Sequence, residues 1–313
     1  MSLTEAKPQT RLDKLREKYR IRSPLKRRVL SEFAATSFLM YAGFSAGAQT
    51  TLSHNTQNAG SLGVSMAWGL SLVFAIQMGY HLSGSHLNPA ISFAAWTFGD
   101  LPFIEFLLYT AVQTVASFLG AFLTFIMYYD KINEFDGGQR SVLGETGTGG
   151  IFATYPGTHL SLIGSIFDQI CCTAMMACTS SIVTDKRNKI PSWAQPSLLG
   201  AMLLTICLGF GLNAGNAMNP ARDLGPRLFT FFAGYGSEVF SYRGYQWFLV
   251  PVICPFVGAV LGQWGYQLLI GIHIPDDDEE EQVDTGIPDI PSTSVSQADM
   301  LQHLARARLH SLV

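Results

Sequence analysis

The 313-residue sequence is short of charge: 14% of its residues are Asp, Glu, Lys or Arg and 48% are hydrophobic, whereas a typical soluble domain is about 25% charged. That balance argues against a soluble globular domain and for a chain that spends most of its length in lipid. Cysteine is sparse as well. Cys171, Cys172, Cys178, Cys207 and Cys254 all fall in apolar segments, without paired spacing or histidine partners, so they read as small buried residues and not as a disulfide frame or a metal site. There is no Asn-x-Ser/Thr acceptor, nucleotide loop, nucleophile-and-base set or metal-ligand cluster. Neither enzymatic chemistry nor a cofactor is expected. No cleavable leader is visible either: nearly thirty polar residues precede the first apolar run, which lacks a clean small-residue cleavage site and is expected to stay as a helix.

What the sequence has is apolar length. Runs at 29–50, 61–80, 103–129, 161–184, 197–214 and 246–271 approach or exceed the roughly 20 residues that cross about 30 Å of hydrocarbon. Six spans predict an all-α membrane protein. Ten of the twenty Lys and Arg residues lie between Lys7 and Arg28, ahead of the first span, and cytoplasmic loops carry the excess of such residues. Residues 1–28 are therefore expected to be a basic cytoplasmic arm, with an amphipathic piece around Leu12, Leu15 and Tyr19 lying near anionic headgroups. Six crossings then put Lys186, Arg187 and Lys189 inside and the loop from Asp130 to His159 outside, so the two assignments agree. Beyond Ile274 the chain turns acidic, with six acidic residues from Asp276 to Glu281. Residues 274–313 read as a flexible cytoplasmic tail, in which Met300, Leu301, Leu304, Ala305 and Leu312 beside Arg306 and Arg308 could form a short amphipathic helix or no structure.

An internal repeat organises residues 29–273. Glu32-Phe-Ala-Ala-Thr36 in the first span matches Gln169-Ile-Cys-Cys-Thr173 in the fourth, and Asn88-Pro89-Ala90 recurs as Asn219-Pro220-Ala221. Each half, about 29–130 and 161–273, has three crossings. An odd number makes the second half enter from the opposite side, an inverted repeat whose shared interface is where transport sites lie.

One Asn-Pro-Ala is only a capped helix start; two at equivalent positions of an inverted repeat are more. Each leads into an apolar stretch too short to span, Ala90 to Phe98 and, after a polar lead-in, Leu228 to Phe232. Two such half-helices of about 15 Å, meeting head to head, fill roughly 30 Å. Non-helical backbone at that depth is tolerated only where it is buried in protein or lines a cavity. Both N-termini would point their positive ends at the cavity, repelling cations and protons while the Asn88 and Asn219 amides donate to neutral hydroxyls. Arg222 is an ionisable group at membrane depth and so a functional candidate. It is expected to be held by backbone carbonyls and presented to the lumen, whereas Asp223 and Arg227, four apart, can pair with each other.

Ser-Gly-Ser-His-Leu-Asn-Pro-Ala (83–90) and Ala-Met-Asn-Pro-Ala-Arg-Asp-Leu-Gly-Pro-Arg (217–227) resemble the signature loops of the aquaporin, or major intrinsic protein, family. Asp223 and Arg227, with Pro251-Val252 and Phe-Ala-Thr-Tyr-Pro (152–156), resemble its glycerol-conducting branch, the aquaglyceroporins. The resemblance implies six tilted helices plus two re-entrant half-helices, a homotetramer with one pore per subunit in the plasma membrane, and passive passage of glycerol, water and other small uncharged solutes such as urea. It also implies an outer filter at Trp68, Cys207, Asn216 and Arg222, with Trp68 offering a ring face to a polyol opposite Arg222.

Two departures stand out. Asn216 occupies a position that is mostly aromatic or apolar in glycerol channels, and Tyr80 and His81, near His86, are bulky where the family has small residues. The latter suggest a narrowed inner mouth, against the plainer alternative of a packed Tyr and a hydrogen-bonded His. Glu32 resembles the family glutamate that accepts N–H groups from a signature loop, and Gln169 is its neutral counterpart; neither is expected to be catalytic. A water-selective channel, a secondary transporter or a junctional protein with a closed pore remain as alternatives.

Overall fold

The computed structural model describes residues 9–57 and 60–275. The acidic run and the C-terminal amphipathic segment lie outside them. The described residues form helices and no strand: α1 Arg11–Tyr19, α2 Pro24–Leu52, α3 Ser61–Gly79, α4 Pro89–Phe98, α5 Phe103–Met127, α6 Tyr129–Asp136, α7 Leu162–Thr184, α8 Gln195–Ala214, α9 Pro220–Thr230, α10 Glu238–Ser241 and α11 Gln246–Leu269.

Helix starts fall where the sequence supplies caps. Ser23, Asn88, Ser161 and Asn219 each accept an N–H of the following turn through the side-chain oxygen, and all but Ser161 are followed by proline at the first helical position. The arm carries a real helix, α1, closed by a capping box in which Thr10 and Asp13 satisfy each other's backbone N–H. The loop from Asp130 to His159 also holds more structure than hydropathy indicates: α6 continues from α5, and Gly149–Ile151 forms a 3-10 turn. The second half-helix begins at once at Pro220, so its polar lead-in is itself helical.

Five helices, α3, α5, α7, α8 and α11, are long and apolar enough to cross a membrane. The sixth long helix, α2, has 29 residues, but Glu32, Gln49 and its many Ser and Thr residues dilute its apolar character. Within each repeat the first span packs on the other two, α2 on α3 and α5, α7 on α8 and α11, and the repeats join through α3 against α8. The half-helices cross over: α4 packs chiefly on α11 of the other half and α9 chiefly on α5. Apolar burial between helices gains little in lipid, so close approach through small residues carries the packing. Where α3 meets α8, a Cβ on Gly69 would stand 2.9 Å from the Gly200 carbonyl oxygen, and a Cβ on Gly200 would stand 2.7 Å from that of Gly69.

Candidate functional site

The crossover brings the two Asn-Pro-Ala loops into contact. Asn88 Nδ2 donates to the Met218 carbonyl at 2.9 Å and Asn219 Nδ2 donates to the Leu87 carbonyl at 2.8 Å. Asn88 Oδ1 meanwhile accepts from Ala90 N, and Asn219 Oδ1 from Ala221 N and Arg222 N. An amide carries two N–H donors, so each asparagine commits one to the opposite loop and keeps one for a visitor. Pro89, Ala90, Pro220 and Ala221 are buried in the first turns behind these amides.

The loops share one backbone shape. Ser85 and Leu87 have φ of 54° and 55°, and Asn216 and Met218, at the same offsets before the second Asn-Pro-Ala, have 54° and 45°. Left-handed backbone is uncommon outside glycine and persists where the surroundings enforce it. In the first half Glu32, fully buried, does so: Oε1 accepts from His86 N at 2.9 Å and Oε2 from Leu87 N at 2.8 Å and from Gln113 Nε2 at 2.9 Å. In the second half Gln169 Oε1 accepts from Met218 N at 3.0 Å. Its Nε2 donates to Asp168 Oδ2, whose other oxygen accepts from Asn213 Nδ2 at 2.9 Å. Gln113, Asp168 and Asn213 were not visible as site residues in the sequence; the only signal was a second buried-span acid, Asp168, one residue before Gln169.

A cavity of about 1040 Å³ passes these loops, reaching from Ser61 at the start of α3 to Thr184 at the end of α7. Trp68, Cys207, Asn216 and Arg222 all line it. The Arg222 guanidinium donates to the Phe152 carbonyl at 2.8 Å and lies 5.1 Å from the Phe44 ring and 5.2 Å from the Trp68 ring. This differs from the sequence expectation of a ring facing the arginine across a lumen. At that separation the two are in cation–π contact, side by side on the cavity wall. Phe44 stands edge-on to Trp68, and Gly43 makes room for the indole: a Cβ there would be 2.5 Å from it. Asn216 Nδ2 donates to the Cys207 carbonyl at 3.3 Å, while its Oδ1 is buried without a partner among the described residues.

Asp223 and Arg227 pair as their spacing suggests, at 2.5 Å and fully buried, but not on the cavity wall. Asp223 Oδ1 accepts from Thr154 N and Oγ1, and Arg227 donates to the carbonyls of Val239 and Thr154. The pair clamps the outer loop that carries Phe152, and thereby holds Arg222 in place.

Around the C-terminal end of α3 the residues separate. The Tyr80 hydroxyl donates to Gln195 Oε1 at 2.8 Å and His81 is exposed; neither lines the cavity. His86 does line it, with Nδ1 3.1 Å from Ser92 Oγ and its ring edge-on to Tyr109. No group of His, Cys, Asp and Glu among the described residues could hold a metal ion.

An inverted pair of half-helices meeting around a continuous cavity inside a bundle of long helices defines a membrane channel. The major intrinsic protein family model matches residues 20–266. Human Aquaporin-10 is 40% identical over 264 residues, covering 84% of this chain and 87% of that protein, and human Aquaporin-9 is 38% identical over 259 residues, covering 82% and 87%. A solved aquaglyceroporin from Plasmodium falciparum superposes with a TM-score of 0.71 at 26% identity, over 80% of this chain and 98% of that one. The chain belongs to the major intrinsic protein family and has the aquaporin fold.

Proposed function

We propose that the protein is a passive channel for glycerol, water and other small uncharged solutes, urea among them, and that it excludes ions and protons. The observation that carries this is the ladder of donors along one cavity. Asn88, Asn219 and Arg222 all line it, each with N–H groups beyond those already committed, and the Arg222 guanidinium lies beside the apolar face of Trp68, which lines it too. A polyol needs both: donors for its hydroxyls and an apolar wall for its carbons. A cation meets Arg222 and two positive helix ends and loses its hydration without gaining ligands. The similarity to a solved aquaglyceroporin supports the same reading.

The site roles follow from it. Asn88 and Asn219 with their Pro-Ala turns form the central constriction; Trp68, Cys207, Asn216 and Arg222 form the outer filter; Glu32 and Gln169 support the loops; Asp223 and Arg227 hold the outer loop. Residues 29–273 constitute the channel between a basic arm and an acidic tail. The subunits assemble as a homotetramer in the plasma membrane, each with its own pore and with both termini in the cytoplasm, as the basic arm favours.

Stopped-flow light scattering of proteoliposomes tests the function. Under a glycerol gradient the vesicles should shrink and re-swell; under a sorbitol gradient they should only shrink. Fast water exit without re-swelling in glycerol would show a water-selective pore. No flux in either gradient would point to a closed, structural protein, and saturable ion-coupled uptake to a transporter.

A further inference from the structure

Four arginines that play no part in the pore converge where the arm enters the membrane. Arg16 on α1, Arg20 at its C-cap, Arg22 in the connection and Arg27 in the first turn of α2 line a shallow cleft of about 540 Å³, with Asp13, Glu17 and Gln9 completing it. Two acids share the cleft with the arginines: Asp13 accepts from Thr10 N and Oγ1 in the capping box and also feels the Arg16 charge, and Glu17 accepts from Gln9 Nε2. Among the described residues none of the four arginines forms an ion pair. Four guanidinium forks left open in one cleft suit an anion with several phosphate oxygens.

The position of the cleft says where that anion comes from. At 29 residues and about 1.5 Å each, α2 is roughly 43 Å long against about 30 Å of hydrocarbon, so its first turns stand in the headgroup layer. On α1, Leu12, Leu15 and Tyr19 form a stripe at helical spacing and are 72%, 54% and 66% exposed, on a helix with no buried residue. An apolar stripe beside a basic cleft at headgroup depth fits an amphipathic surface, which a dissolved anion does not offer.

We propose that α1 and the α1–α2 elbow form a binding site for a multiply phosphorylated anionic membrane lipid. Arg16, Arg20, Arg22 and Arg27 take its headgroup, and Leu12, Leu15 and Tyr19 seat α1 against the acyl boundary. The site rests on the membrane-spanning reading of α2 and is independent of what the pore conducts.

The test uses full-length protein in detergent and short-chain dioctanoyl phosphatidylinositol bisphosphate, with binding read by native mass spectrometry. Dioctanoyl phosphatidylcholine and the inositol trisphosphate headgroup alone serve as the other two probes. Wild type should bind the bisphosphate lipid tenfold or more tightly than phosphatidylcholine. Replacing all four arginines by glutamine should abolish that preference. The triple variant Arg16→Gln, Arg20→Gln, Arg22→Gln, which leaves α2 untouched, should reduce it at least about tenfold. A Leu12→Ser, Leu15→Ser, Tyr19→Ser variant should weaken the lipid and leave the free headgroup unchanged. Undiminished lipid binding by the triple variant overturns the proposal, and so does wild-type protein that binds the free headgroup as tightly as the lipid. Glycerol flux by the same variants separates this outcome from a failure of the channel assignment, since none of the residues lines the pore.

Discussion

The two halves of the molecule build the same loop and support it differently. In the first half, one buried carboxylate, Glu32, takes the N–H groups of His86 and Leu87 itself. In the second, the neutral Gln169 takes only Met218 N, and the negative charge has moved back one residue to Asp168, where Asn213 and Gln169 share it. The half-helices differ in the same way. Arg222, Asp223 and Arg227 of α9 occupy the positions that Ile91, Ser92 and Trp96 fill in α4. What the repeat preserves is therefore a backbone shape, the paired left-handed residues before each Asn-Pro-Ala. The side chains that hold it are free to differ, and charge has collected in the half that carries Arg222 and clamps the loop bearing Phe152.

The sharpest way to break this comparison is Asp223→Ala. It leaves the fully buried Arg227 without its carboxylate, a loss of about 3–5 kcal/mol. Thermal unfolding in detergent should show a large drop in melting temperature, whereas Ser92→Ala, at the matching position of α4, should be far milder. Equal effects would mean the charges of α9 are not what secures that half.

Next in size are the loop supports. Glu32→Ala strands three buried donors, His86 N, Leu87 N and Gln113 Nε2, at about 1–3 kcal/mol each if none finds water. Gln169→Ala strands one N–H, that of Met218, and leaves Asp168 with one partner fewer. Unfolding measurements should rank Glu32→Ala as clearly the more destabilising. The opposite order would place the greater support in the second half.

A third variant, Gly43→Ala, acts on selectivity. Its Cβ would meet the Trp68 indole at 2.5 Å, an overpacking of about 1–3 kcal/mol that the ring relieves by moving toward the lumen. Glycerol flux in proteoliposomes should fall several-fold and water flux less. Unchanged glycerol flux would show that the ring has room elsewhere.

The smallest effect lies outside the membrane. In the loop after α7, the Arg187 side chain beside Asp185 holds its carboxyl below the usual carboxylate range, helped by Arg187 N–H and the Tyr266 hydroxyl and opposed by burial. With the folded value depressed, the stabilisation is fully present above the unfolded value of about 3.9 and is lost as pH falls through the folded value. Wild type should thus exceed Asp185→Asn in melting temperature by a few degrees at pH 7, and the gap should narrow progressively as pH falls below about 4. A gap that does not narrow at all as pH falls below about 4 would assign the difference to something other than this charge.

Much of the architecture could be read without coordinates because its signals are local. Hydropathy over twenty residues marks a span, and Asn-Pro after an apolar run marks a capped start, so the repeat of Asn88-Pro89-Ala90 and Asn219-Pro220-Ala221 exposed the inverted symmetry. The i, i+4 spacing of Asp223 and Arg227 foretold their ion pair. The long α2 was legible despite Glu32, whose buried position makes sense once it is seen to receive N–H groups. The α6 helix and the early start of α9 escaped because polar residues can be helical when neighbouring elements cover them.

The sequence by itself determined the membrane class, the two-fold plan and the identity of the residues at the centre. Each of these is written in composition, periodicity or short spacing, which act within one segment of chain. Only the tertiary structure decided that each half-helix packs on the other repeat, that Phe152 holds Arg222, that Gly43 seats Trp68 and that Asp168 carries the charge Gln169 lacks. These are contacts between residues tens of positions apart, set by close packing and by the need of each buried polar group for a partner, and such demands leave no periodic mark in the sequence.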